Sequence, residues 1–133
     1  MIGVLIVTHK DLAEALLAVC DLILGRQENI TALSLDPAAP PETLRQQIQR
    51  GLSQLNNGNG VIILTDMLGG TPSNLSLAFL KEGKVEVVTG VNLPMLMKLA
   101  SLRQQEDVAE VARALKQSGQ SGITVASELL AKR

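Results

Sequence analysis

Short apolar runs alternate with longer amphipathic stretches along this chain. Ile2 to Val7 is continuous, brief and rich in β-branched residues, which predicts a strand buried on both faces. Asp11 to Leu24 has helical spacing. Leu12, Leu16, Val19, Cys20 and Ile23 fall on one face, Asp11 and Glu14 have capping-box spacing, and Gly25 ends the run. Ile30 to Leu35 alternates like a second strand. Asp36-Pro37 and Pro40-Pro41 turn the chain into a helix over about Glu42 to Leu55, carried by Leu44, Ile48, Leu52 and Leu55. After the polar loop Asn56 to Gly60, Val61 to Leu64 predicts a third, buried strand that ends at Thr65-Asp66.

The alternation continues in the second half. Thr71 as N-cap, with Pro72 at the first helical position, predicts a helix to about Leu80. Val85 to Thr89 is a fourth strand, and Asn92 caps a helix that holds Leu93, Leu96, Met97 and Ala100. A further helix runs roughly from Glu106 to Gln117, and Ile123 to Ala126 predicts a short last strand beyond the break at Gly119 and Gly122. No repeat, low-complexity tract or linker interrupts the pattern, so residues 1–133 are expected to form one domain. Strand alternating with helix predicts an α/β fold in three layers, an open and mostly parallel sheet with helices on both faces. In such sheets ligands sit at the carboxyl ends of the strands. The residues to inspect are therefore Thr8-His9-Lys10, Asp36, Asp66 to Thr71, and Gly90 to Asn92.

Composition narrows the chemistry. With 46 % hydrophobic and 19 % charged residues, the 133-residue chain can build a core, and a net charge of -1 gives no basic footprint for nucleic acid. It has one histidine, one cysteine, one phenylalanine and neither tryptophan nor tyrosine. That excludes aromatic platforms for bases, a zinc site of several His and Cys ligands, and a disulfide within the chain. Cys20 reads as a small core residue. No metal or cofactor is expected. The apolar start Met1 to Val7 lacks a basic flank, and no run approaches the roughly 20 apolar residues of a membrane helix. Cytoplasmic residence is the expectation, which a lone thiol suits.

Imidazole chemistry is thus confined to His9. If strands one and three are neighbours, His9 and Asp66 can meet. A carboxylate that accepts the N–H of one ring nitrogen fixes the tautomer and leaves the other nitrogen free to attack. Beside Asp66, Gly69 and Gly70 allow close backbone approach, a helix start offers N–H groups to an anion, and Thr71 and Ser73 add hydroxyls. Together these describe a phosphoryl-accepting histidine with an anion cradle. Singly, each has a plainer reading: a surface histidine, a turn aspartate, a tight strand-to-helix turn.

The set resembles a known family. Ile-Val-Thr-His (6 to 9), Thr-Asp-Met-Leu-Gly-Gly-Thr-Pro-Ser-Asn (65 to 74) and Thr-Gly-Val-Asn-Leu-Pro-Met-Leu (89 to 96) are similar, in order and over essentially the whole chain, to the IIA component of the mannose-type (mannose/fructose/sorbose) bacterial sugar phosphotransferase system. The resemblance implies a phosphoryl carrier that takes phosphate from phospho-HPr on His9 and passes it to a IIB component serving a membrane permease. By the same resemblance Asp66 orients the ring and Thr71 lies near the phosphoryl group. It implies strand order 2-1-3-4 and an antiparallel fifth strand, Ile123 to Ala126, exchanged in a homodimer. Two positions depart from the family pattern: Lys10 stands where glycine is frequent, and Met67 where an aromatic residue is.

Other readings make different demands. A receiver domain phosphorylated on Asp66 needs an acidic pair after strand one, where this chain has Thr8-His9-Lys10 with only Asp11 beyond. A nucleotide-binding domain needs a phosphate loop that is missing. The phosphotransfer subunit of dihydroxyacetone kinase has a related leading domain, but the Gly-Gly-Thr-Pro and Asn-Leu-Pro-Met blocks favour the mannose type, whereas a regulatory phosphoprotein without sugar transport needs His9 just as a transport component does.

Overall fold

The computed structural model describes residues 1–105 and 107–131. Four strands, β1 (Gly3–His9), β2 (Ile30–Leu35), β3 (Val61–Thr65) and β4 (Val85–Thr89), form one parallel sheet in the order β2-β1-β3-β4. They alternate with α1 (Leu12–Leu24), α2 (Pro41–Leu55), α3 (Thr71–Leu77), α4 (Leu93–Leu102) and α5 (Val108–Ser121), and α6 (Ala126–Ala131) ends the described chain.

The continuous apolar strands are buried because both faces are covered. Val4 and Ile6 of β1, with Ile62 and Leu64 of β3, pack beneath α1, α4 and α5. Leu5 and Val7, with Val61 and Ile63, pack beneath α2 around Leu44, Ile48 and Leu55. Phe79 packs half-buried against this second core. Cys20 is buried in the first core, as expected.

Several local readings are corrected. Asp11 makes no side-chain capping bond. The hydroxyl of buried Thr8 accepts from the N–H of Ala13 at 2.7 Å and holds the start of α1 in its place. The N-cap of α3 is Gly70, so Thr71 is the first helical residue, and the helix stops at Leu77 rather than about Leu80. Asn92 caps α4 by accepting from the N–H of Met95 at 3.0 Å. The helix expected over Glu106 to Gln117 is α5, which begins at Val108 under an Asp107 cap and continues to Ser121, while Glu106 lies outside the described residues.

Two corrections concern surface. On α1 Ala13 and Cys20 are buried and Leu16 and Leu17 pack half-buried against the core, whereas Leu12, Val19 and Ile23 of the predicted face are exposed, as is Leu22 at 83 %. The helix is apolar nearly all round, so its period does not single out one face. The strand expected over Ile123 to Ala126 is not formed: the segment pairs with none of the described strands and leads into α6. Residues 121–131 are all exposed, including Ile123, Val125, Leu129 and Leu130. A strand needs a neighbour for its backbone groups, and within this single chain the segment lies against none of the four described strands.

Arg103, just after α4, was not singled out by its sequence context. It is 4 % exposed, and its guanidinium donates to the carbonyls of Ile2 at 3.0 Å, Glu28 at 2.5 Å and Asn29 at 3.2 Å. It ties the amino ends of β1 and β2 to α4, and burial pulls its pKa down. Arg103→Met keeps most of the volume but strips those carbonyls of a charged donor. The expected loss is about 2–4 kcal/mol, to be read from urea unfolding; an unchanged midpoint would remove Arg103 from the stability account.

Candidate functional site

The sheet order sets the site. Val7 of β1 lies opposite Thr65 of β3, so the next residues of both strands emerge side by side at the carboxyl edge. Asp66 Oδ2 accepts from the backbone N–H of His9 at 3.0 Å and lies 2.8 Å from His9 Nδ1. One carboxylate oxygen thus fixes both the main chain and the ring. Asp66 is 12 % exposed and the imidazole 47 %, so the carboxylate is sheltered and the ring open to a partner. Burial pushes the Asp66 carboxyl up, but the two hydrogen bonds from His9 and its charge outweigh this and hold it below the ordinary value. With Nδ1 committed to Asp66, Nε2 is the free nitrogen.

The backbone at Gly70 is approached closely, and the group that approaches it is the His9 ring. A Cβ there would lie 2.6 Å from Cε1 and 3.1 Å from Nε2 of His9, so the imidazole rests against bare backbone. Gly69, at φ 89°, makes the turn before it and is open to solvent. Asn74 closes this loop: its N–H bonds the Gly70 carbonyl at 2.9 Å and its side chain the Gly69 carbonyl at 3.3 Å. Thr71 is exposed and lines, with His9, a cavity of about 380 Å³. Pro37, Ala39, Pro41 and Leu44 form its apolar wall, a feature their turn and helix context did not announce.

Ser73 is corrected. It is fully buried, and its hydroxyl is held by Thr65 Oγ1 at 2.6 Å and by the Met67 carbonyl. It braces the loop after β3 to the strand and offers nothing to an anion. Met67 and Leu68 of that loop are exposed beside the site. Asp36 caps its own turn through the N–H of Ala38. Lys10 has a φ of 47°, a left-handed conformation that costs an L-residue about 1–2 kcal/mol and suits glycine. That is the physical reason glycine suits this position, and Lys10 carries the cost of departing from it.

No described helix is long and apolar enough to cross a membrane, and no cluster of three His, Cys, Asp or Glu occurs among the described residues.

Known proteins share the sequence pattern and the fold of this chain. The chain is 32 % identical over 133 residues to the fructose-specific EIIA component of the phosphotransferase system of Bacillus subtilis (strain 168), covering 99 % of this chain and 91 % of that protein. It is 32 % identical to the mannose-specific EIIAB component of Escherichia coli (strain K12), covering 92 % of this chain but only 38 % of that longer protein. The crystal structure of phosphotransferase system component EIIA from Streptococcus agalactiae superposes with a TM-score of 0.86 at 30 % identity, over 96 % of this chain and 99 % of that one. The family model EIIA-man, "PTS system fructose IIA component", matches residues 3–116, and the chain belongs to this mannose-type IIA family of the sugar phosphotransferase system.

Proposed function

We propose that the protein accepts a phosphoryl group from phospho-HPr on His9 Nε2 and passes it to a IIB component of a sugar phosphotransferase system. The observation that carries this reading is the paired bond of Asp66 Oδ2 to the N–H and Nδ1 of His9, which leaves Nε2 as the free nitrogen of a half-exposed ring. The Nε2 lone pair forms a bond to phosphorus as the P–N bond of the donor's phosphohistidine breaks, and the electron pair returns to the donor ring. Positive charge gathers on the His9 ring, and the adjacent carboxylate stabilises it. Gly70 gives the ring room, and the backbone N–H groups of the first turn of α3 with the Thr71 hydroxyl receive the phosphoryl oxygens. Return of the phosphoryl group to a IIB partner is the same step reversed. No metal or organic cofactor is required, and the membrane is reached only through the permease components that IIB serves. Such a carrier works in the cytoplasm, where its donor resides.

The test is incubation with phosphoenolpyruvate, Enzyme I and HPr. One acid-labile phosphoryl group per chain is expected, chased off when a IIB component is added. A native protein that stays unlabelled would defeat the proposal.

The same reading includes a homodimer with an exchanged strand. Ile123 and Val125 lie bare at 76 % and 57 %, and the outer edge of β4 is open beside a groove between β4 and α5. A partner's Ile123 to Ala126 adding antiparallel to β4 would satisfy both edges and cover apolar surface. The full chain should sediment as a dimer and a chain ending at Gly122 as a monomer. A monomeric full chain at micromolar concentration would refute the exchange.

A further inference from the structure

Lys10 is the feature of the site that the phosphoryl transfer described above does not use. In a strand that simply continued, residue 10 would point to the face opposite residue 9. The left-handed turn at Lys10 breaks that alternation, and His9 and Lys10 line the same cavity. No other residue lining the cavity ionises, and its wall is mostly apolar. Among the described residues Lys10 forms no ion pair. Of the carboxylates near it, Asp66 is bonded to His9 and Asp36 accepts from the N–H of Ala38, while Asp11 follows at the start of α1 without an ion pair to Lys10. An ammonium without a carboxylate partner, on an apolar wall beside an acceptor histidine, is matched to a dianion held on that histidine.

The geometry points to Lys10 as a positioning residue that pairs its ammonium with the phosphoryl oxygens on His9 and weights the phosphoryl equilibrium toward this chain. The inference rests on His9 being the acceptor. No bond forms to Lys10, and its Nζ keeps its three protons. It stabilises the product of transfer, in which the P–Nε2 bond has formed and the donor's P–N bond has broken.

Phosphoramidate, a small phosphoryl donor, allows a test without a protein partner. The labelled protein is followed by phosphorus NMR through pH, and the second ionisation of the phosphoryl group is read from its chemical shift. In Lys10→Gly that ionisation should move up by about 0.5–1 pH unit, a roughly three- to tenfold change in proton affinity. Glycine is at ease at φ 47°, so the variant removes charge while keeping the turn. Lys10→Asn, also tolerant of the left-handed region, should match it. Lys10→Arg should titrate with the native protein, and the differences should shrink in about 1 M salt. The proposal is overturned if Lys10→Gly and Lys10→Asn titrate with the native protein, or if Lys10→Arg follows them. Failure of His9 as acceptor looks different: the native phosphohistidine resonance would be missing, or would persist in His9→Ala, and either result sinks both readings.

Discussion

His9→Ala takes up no phosphoryl group from phospho-HPr under conditions that label the native chain stoichiometrically. The chain has a single imidazole, so no neighbour can substitute for it. Lys10 offers an ammonium and Thr71 a neutral hydroxyl, neither of which is an activated nucleophile. Asp66 is also poorly placed to accept phosphate. Its Oδ2 is engaged by His9, and its Oδ1 is buried without a hydrogen-bond partner. The receiver-domain alternative, with an acyl phosphate on Asp66, therefore fails on access as well as on its missing acidic pair. The fold should survive the substitution, because the ring is half exposed and Asp66 keeps the backbone N–H at residue 9. Equal melting curves beside a drop in labelling of at least about a thousandfold would assign the loss to chemistry. A variant that labels as well as the native chain would show that the acceptor lies elsewhere.

The parts of this molecule that were legible in its residues are those where one physical demand dominates. β1 and β3 are so uniformly apolar that only a strand covered on both faces can hold them, and the mostly parallel α/β sheet follows. The meeting of His9 with Asp66 followed from chemistry that needs neighbouring strands, while the full order β2-β1-β3-β4 came through the family resemblance. Ambiguity entered where a side chain can do two jobs. A serine in a helix's first turn can face a ligand or tie the loop beneath it, and burial at Ser73 chose the second. On α1, Leu22 and Ile23 satisfy an apolar pattern without belonging to the monomer's core. Arg103 was illegible because its partners are three carbonyls, one of them 101 residues away. The left-handed turn at Lys10 left a trace only as a lysine where glycine is frequent.

Asp66→Asn should separate the charge of the carboxylate from its geometry. Both N–H groups of His9 converge on the same oxygen, Oδ2. An amide oxygen at that position still accepts both, so the tautomer and the ring's orientation are kept. The amide nitrogen then takes the place of Oδ1, which has no partner to lose. What disappears is the negative charge beside a ring that becomes positive during transfer. The rate of phosphorylation should fall about 10- to 100-fold, with one phosphoryl group per chain still reached at long times. Asp66→Ala, which also frees the ring, should be slower again. Equal rates for Asp66→Asn and the native chain would show that the carboxylate charge takes no part. The acid limb of stability supplies a second reading. The folded pKa of Asp66 lies below its ordinary value, so the His9 contact stabilises the fold above that ordinary value, near pH 4, and the contribution is lost as pH falls through the lower folded pKa. Asp66→Asn lacks a proton to gain in that window. Its urea midpoint should therefore fall less steeply with acidification than that of the native chain, and parallel curves would detach the His9 contact from the shifted pKa.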